Sequence, residues 1–177
     1  MHGIVHKALK EYVEEDSDGV DWDSVTERAG LDPKLYLPVT HYPDNEITRA
    51  VTALSELSGR TENSIQRAFG QSLAPQLLDT FKAHVRDEWD AREVLLALDT
   101  IYEQLEEDNG ESASTTVSTR AEGEAVVLTY RSERELCTVL RGIAAGVAAE
   151  YDATTMIDES TCLREGDDRC ELHVDLD

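Results

Sequence analysis

Over residues 1–107 the apolar positions recur three or four apart, the spacing that gives a helix one apolar face. Ile4, Val5, Ala8, Leu9, Tyr12 and Val13 form the first such stripe. A turn at EEDSDG separates it from a short amphipathic stretch, WDSVTERAGL, that stops near Gly30. Pro33, Pro38 and Pro43 predict an irregular connection, because proline brings no backbone N–H to a helix or ladder. Asp44 stands where an N-cap belongs, ahead of Ile47, Ala50, Val51, Leu54 and Leu57, and Gly59 closes that helix. Thr61 is the expected cap of the next helix, TENSIQRAFGQSL, and Pro75 is expected to open another through QLLDTFKAHV. The clearest stripe is Val94, Leu95, Leu98, Ile101, Tyr102 and Leu105, read as one helix through AREVLLALDTIYEQLEE.

The pattern changes at EEDNGESAS. TTVSTR and AVVLTY alternate in the manner of strands around the turn AEGE, a helix follows from about Arg134 through LRGIAAGVAAEY, and ATTMIDEST and RCELHVDL close the chain around REGDD. Helices first, then strand, strand, helix, strand, strand: this order predicts an α+β fold with a four-stranded antiparallel sheet. A single domain over 1–177 is expected, divided into a helical part, 1–107, and a β-β-α-β-β part, 112–177.

Charge narrows the partners. The chain has 38 acidic and 16 basic residues, a net of −22, which repels nucleic acid and anionic lipid and sets both aside. The acid is spread along the whole sequence rather than gathered in a tail, as expected of a halophilic protein in a salt-rich cytoplasm, where screening relieves the self-repulsion. No apolar run is long enough to span a bilayer, and MHGIVHKALKEYVEE does not read as a signal peptide, so a cytoplasmic location is expected. Three cysteines without a CxxC predict neither a disulfide scaffold nor a zinc finger.

The residues that carry chemistry lie at the end of AVVLTYRSER. Tyr130, Ser132 and Arg134 are two apart, so strand alternation points a phenol, a hydroxyl and a guanidinium the same way. All three donate hydrogen bonds, and the guanidinium fork matches a carboxylate in two parallel bonds. An anionic ligand is one reading of this spacing; a polar face turned to water is the other.

The Tyr-x-Ser-x-Arg run between strand and helix resembles the haem-propionate clamp of the haem-nitric oxide/oxygen binding (H-NOX) family. The opening MHGIVHKALKEYVEE is similar to that family's Met-x-Gly start. The stretch GLDPKLYLPVTHYPDNEITRAVTALSELSGRTENSIQRAFG and the closing turn REGDD extend the likeness over nearly the whole chain. The resemblance implies a helical subdomain and a four-stranded sheet with a helix enclosing haem. It makes Tyr130, Ser132 and Arg134 cofactor-binding, with Val5, Leu9, Val139 and Ile143 as apolar walls on the haem face away from the iron ligand. That wall offers no donor, which disfavours stable dioxygen binding and leaves nitric oxide or carbon monoxide.

One position departs from the family. Its iron-binding histidine lies in a Leu-Asp-x-x-His setting, and here LDTIY puts Tyr102 there. Tyr102 is either a core aromatic on its stripe or a phenolate ligand to haem iron, which favours the ferric state. His84 is the alternative ligand considered. His2 and His6, one helical turn apart, read as a surface pair, and His41 and His173 are assigned no role. Cys162 and Cys170 flank the last turn and face each other if the loop is centred on Gly166, as a redox pair, a metal site or small buried side chains; Cys137 reads as packing. Their hairpin also resembles that of four-vinyl-reductase-type domains, which implies the alternative of a haem-free small-molecule binding domain. No nucleophile with a neighbouring base and no phosphate loop stands out, so an enzyme is not expected. The expected function is a haem-binding gas or redox sensor. No output segment follows the domain, so the sensor is expected to signal to a separate partner protein.

Overall fold

The computed structural model describes residues 1–16, 18–107, 115–134 and 136–177, and of residues 105–107 the backbone alone. The junction near 108–111 and the side chain of Leu105 therefore lie outside the described residues.

Among the described residues, seven α-helices and four strands follow one another as α1 (Gly3–Asp16), α2 (Trp22–Ala29), α3 (Asn45–Ser58), α4 (Glu62–Thr80), α5 (Ala91–Leu96), α6 (Leu98–Glu107), β1 (Thr116–Glu122), β2 (Ala125–Arg131), α7 (Cys137–Glu150), β3 (Thr155–Thr161) and β4 (Cys170–Leu176). The strands form one antiparallel sheet in the order β1-β2-β4-β3. This is the α+β arrangement expected from the change of period.

Three local expectations need correcting. Pro75 does not open a new helix: α4 runs through it to Thr80. The Gln71 carbonyl, which the proline ring cannot bond, lies against Gly146 of α7 instead. The expected helix over 91–107 is two pieces that break at Ala97, where Thr119 Oγ1 of β1 sits 2.6 Å from the Leu96 carbonyl and 3.0 Å from the Asp99 carboxylate. Asp44 precedes α3 but does not cap it; its backbone is already helical and its carboxylate is engaged elsewhere. Thr61 does cap α4, accepting from the Ser64 N–H at 3.2 Å.

Helix α7 lies across α4 at very close range. A methyl group on Gly70 would meet the Val139 carbonyl, and one on Gly142 the Arg67 carbonyl, so both backbones approach as only glycine permits. Gly3 plays the same part at the N-terminus. Its N–H bonds the Thr40 carbonyl at 2.7 Å, and the Leu37 carbonyl occupies the space a side chain would need. These contacts bring Met1 and His2, α4 and α7 together beside the sheet.

Candidate functional site

The joint between helices and sheet holds a cavity of about 120 Å³. Met1, His2 and Val5 line it from the N-terminus and α1, Leu73 and Leu77 from α4, and Leu98, Ile101 and Tyr102 from α6. Val117 of β1 and Tyr130 of β2 come from the sheet; Arg134 and Leu136 come from the turn after it, and Val139, Leu140 and Ile143 from α7. Nearly the whole wall is hydrocarbon, so the few polar groups define what the cavity can select.

Arg134 is the strongest of them. Its Nε donates to the Asp44 carboxylate at 2.5 Å, and Nη1 lies 3.4 Å from the Tyr102 hydroxyl. Burial would push the Asp44 carboxyl up, but the α-ammonium of Met1, 2.6 Å away, and the Arg134 guanidinium together hold it below the usual carboxylate range. A carboxylate already occupies the fork, so the site has the charge and the reach to hold one.

Of the three expected clamp residues, Tyr130 and Arg134 line the cavity and Ser132 stands behind them. Strand β2 ends at Arg131, so alternation does not carry through to Arg134. A turn does the work instead: Ser132 Oγ accepts from the Arg134 N–H at 3.0 Å and contacts Thr115 Oγ1. Burial raises the Tyr130 phenol above its ordinary value, against the lowering effect of its bonds to Ser132 and the Leu136 backbone. It therefore stays a neutral donor.

Of the four expected wall residues, Val5, Val139 and Ile143 line the cavity, while Leu9 is in the core, 1 % exposed, outside the lining. His84 is exposed on a turn after α4, away from the cavity, its ring 6.4 Å from that of Phe81. His2 and His6 are no surface pair. His6 is 2 % exposed, stacked on Tyr36 at 5.1 Å, and burial lowers its pKa despite the Pro43 carbonyl and Glu46 beside it. His2 lines the cavity, its ring edge-on to His41 at 5.3 Å, so the wall is not free of hydrogen-bonding groups. The expected bar to dioxygen, which rested on that freedom, no longer follows. The Met-x-Gly start contains His2 but does not report which way its ring points.

The lining suits a flat apolar macrocycle that carries carboxylates. The walls are hydrocarbon, the guanidinium stands at one edge, and the Tyr102 phenol offers an oxygen ligand to a hard metal ion. In size the cavity is below the roughly 300–1,000 Å³ of ordinary ligand pockets, so a large guest requires it to open.

A model of the haem-NO-binding family matches residues 2–159. The chain is similar in fold to an H-NOX protein from S. oneidensis solved in the Fe(II)NO ligation state, at 21 % identity with a TM-score of 0.87; the match covers 100 % of this chain and 99 % of that one. It is also similar to an oxygen-binding H-NOX domain related to soluble guanylate cyclases, at 18 % identity with a TM-score of 0.82, over 99 % of this chain and 95 % of that one. An unliganded Fe(II) H-NOX variant from K. algicida matches at 14 % identity with a TM-score of 0.80, over 100 % and 97 %. No curated protein sequence matches.

Proposed function

This chain belongs to the haem-NO-binding family, and on that premise we propose that it is a haem-holding sensor domain in which Tyr102 serves as the iron ligand and Arg134 as the propionate anchor. The domain is a sensor module and not an enzyme. The observation that carries the proposal is the pairing at the cavity: a phenol and a guanidinium, 3.4 Å apart, in a wall that is otherwise almost wholly apolar.

Each residue has a task set by its chemistry. Haem, when bound, supplies an iron centre able to take a small gas such as nitric oxide. Tyr102 offers a hard oxygen donor, which favours ferric over ferrous iron and shifts the domain toward sensing redox state or haem supply. Arg134 exchanges the Asp44 carboxylate for a propionate, one charge-assisted bond for another. Tyr130 donates from the sheet side, and Ser132 holds the Arg134 backbone in place. Val5, Leu98, Val139 and Ile143 keep water out, and His2 adds one polar group to the wall.

Helix α6 couples the site to the rest of the molecule. Thr119 ties the break at Ala97 to β1, so movement of Tyr102 away from Arg134 turns α6 about that point. A separate partner protein reading that movement completes the signal. The acidic surface favours a cytoplasmic setting, high salt and a partner other than nucleic acid; none of the described helices is long and apolar enough to cross a membrane.

A second reading keeps Arg134 for a smaller carboxylated guest without haem, and the present volume of about 120 Å³ favours it. In that form Cys162 and Cys170 have no part in the pocket, because neither is in its lining. A hemin titration of the full chain decides between the two: saturation at one per chain supports the first, and no uptake leaves the second.

A further inference from the structure

The cavity lies on one face of the sheet; the other face carries a groove of about 290 Å³ with a polar wall. Alternation along the strands turns Val117 and Tyr130 to the cavity, and Thr116, Ser118, Thr129 and Arg131 to the groove. Arg120, Arg169 and Glu171 also line it. We propose that this groove is a binding site for a small tetrahedral oxyanion of the phosphate class, inorganic or a monoester.

The strand register sets the donors out in order. Ser118, Thr129 and Glu171 form one row across β1, β2 and β4, since Ser118 pairs with Thr129 and Thr129 with Glu171. Arg120 stands at one end of that row. At the other end Arg131 pairs with Thr116, and Arg169 comes one residue ahead of β4. Glu171 lies between guanidinium groups: Arg120 Nη2 is 3.6 Å from Oε1 and Arg169 Nε 3.7 Å from Oε2, with His173 Nε2 3.3 Å from Oε1. Arg120 also reaches the exposed Glu122, at 2.9 Å.

Two observations go beyond a solvated polar face. The first is the sign of the charge. In a chain with 38 acidic residues, every arginine has carboxylates to choose from, yet three guanidinium groups share this groove with one carboxylate. Among the described residues Arg131 has no ion pair, although it shares its end of the groove with Arg169. Like charges set side by side on a sheet are destabilising, and an anion between them removes that cost.

The second is the kind of donor. The hydroxyls of Thr116, Ser118 and Thr129 make no hydrogen bond among the described residues, so they are available to a ligand. Guanidinium forks and hydroxyls together offer many N–H and O–H donors converging from several sides. That set matches the oxygens of a tetrahedral dianion, which arginine binds two at a time. The volume is near the lower end, roughly 300 Å³, of ordinary ligand pockets, room for a small anion with water.

The groove is placed to act on the cavity behind it. Arg131 lies between Tyr130 and Ser132 in sequence, and its partner Thr116 follows Thr115, whose Oγ1 contacts Ser132 Oγ. An anion held by Arg131 and Thr116 therefore tightens the strand ends from which the Arg134 turn starts. The site itself requires no haem, so its test is independent of the function proposed above.

The test is a calorimetric titration of the full-length, haem-free protein with inorganic phosphate in molar potassium chloride, which screens non-specific attraction. Saturation at one phosphate per chain is the expected result. Arg131→Gln, at an exposed position, should weaken binding roughly tenfold or more, and Ser118→Ala about threefold, both with unchanged far-ultraviolet circular dichroism. Sulfate should compete, whereas nitrate, planar and singly charged, should not. Methyl phosphate distinguishes the sources: tighter binding than inorganic phosphate assigns a monoester, weaker binding the free anion. No saturable uptake by the wild type overturns the site. So does equal affinity in Arg131→Gln, or displacement by nitrate as readily as by sulfate.

Discussion

Tyr102 on α6 and Arg134 in the turn after β2 meet at the wall of the apolar cavity, the guanidinium Nη1 3.4 Å from the phenol oxygen. The same guanidinium holds Asp44 through Nε. One cation thus ties the helical part of the chain to the sheet through two oxygens, and a bound carboxylate has to compete for it.

That competition gives the first prediction. A charge-assisted bond contributes about 1.5–3 kcal/mol, so Arg134→Ala should weaken hemin binding roughly 10–100-fold. Asp44→Asn should have the opposite sign and tighten it, because the resident carboxylate is gone. Titration followed in the Soret band measures both. Equal affinities in all three proteins would remove Arg134 from the site.

The second prediction concerns the metal ligand itself. Tyr102→His replaces an anionic oxygen donor with a neutral nitrogen donor, which should stabilise ferrous iron. The reduced variant should bind nitric oxide with a clear spectral change. A variant that takes up no haem would show that the cavity no longer admits it.

A third prediction follows from His6. Burial holds its pKa below the ordinary 6.5, so between that value and its folded value the unfolded chain binds a proton that the folded chain does not. Stability therefore rises with pH across this window and falls as the pH drops through it. Denaturant melts should show that acid-side loss in the wild type, with this component missing in His6→Phe. An unchanged profile in the variant would assign the loss to other groups.

The fourth prediction tests the α4–α7 crossing. Gly142→Ala forces a methyl group onto the Arg67 carbonyl, an overpacking that costs about 1–3 kcal/mol. For a chain of this size, that lowers the melting midpoint by roughly 2–4 °C per kcal/mol. Gly123→Ala, in open space at a left-handed turn, should cost less than the crossing does.

Much of the fold was legible because periodicity reports burial. The change from helical to strand spacing located the sheet, and Thr61 acted as the cap its position implied. What was not legible depended on partners far along the chain. Asp44 looked like a cap but is drawn off by Arg134, 90 residues away. Pro75 looked like a helix start, yet α4 runs through it, with the Gln71 carbonyl lying against Gly146 of α7. His6 looked like a surface residue, yet Tyr36 and Tyr42 enclose it. At the site, Arg134 is placed by a turn that strand spacing does not report, and the inward face of His2 depends on its bridge to His41. Cys137 packs in the core as expected, but its meeting with the closing hairpin is a tertiary fact that no spacing reports.

The most direct test of Tyr102 as the iron ligand is an absorption spectrum of the hemin-loaded protein in molar salt, taken for the wild type and for Tyr102→Phe. A saturable Soret band in the wild type that shifts in the variant is the predicted result. A band that Tyr102→Phe leaves unchanged, or no band beyond that of free hemin, would contradict it.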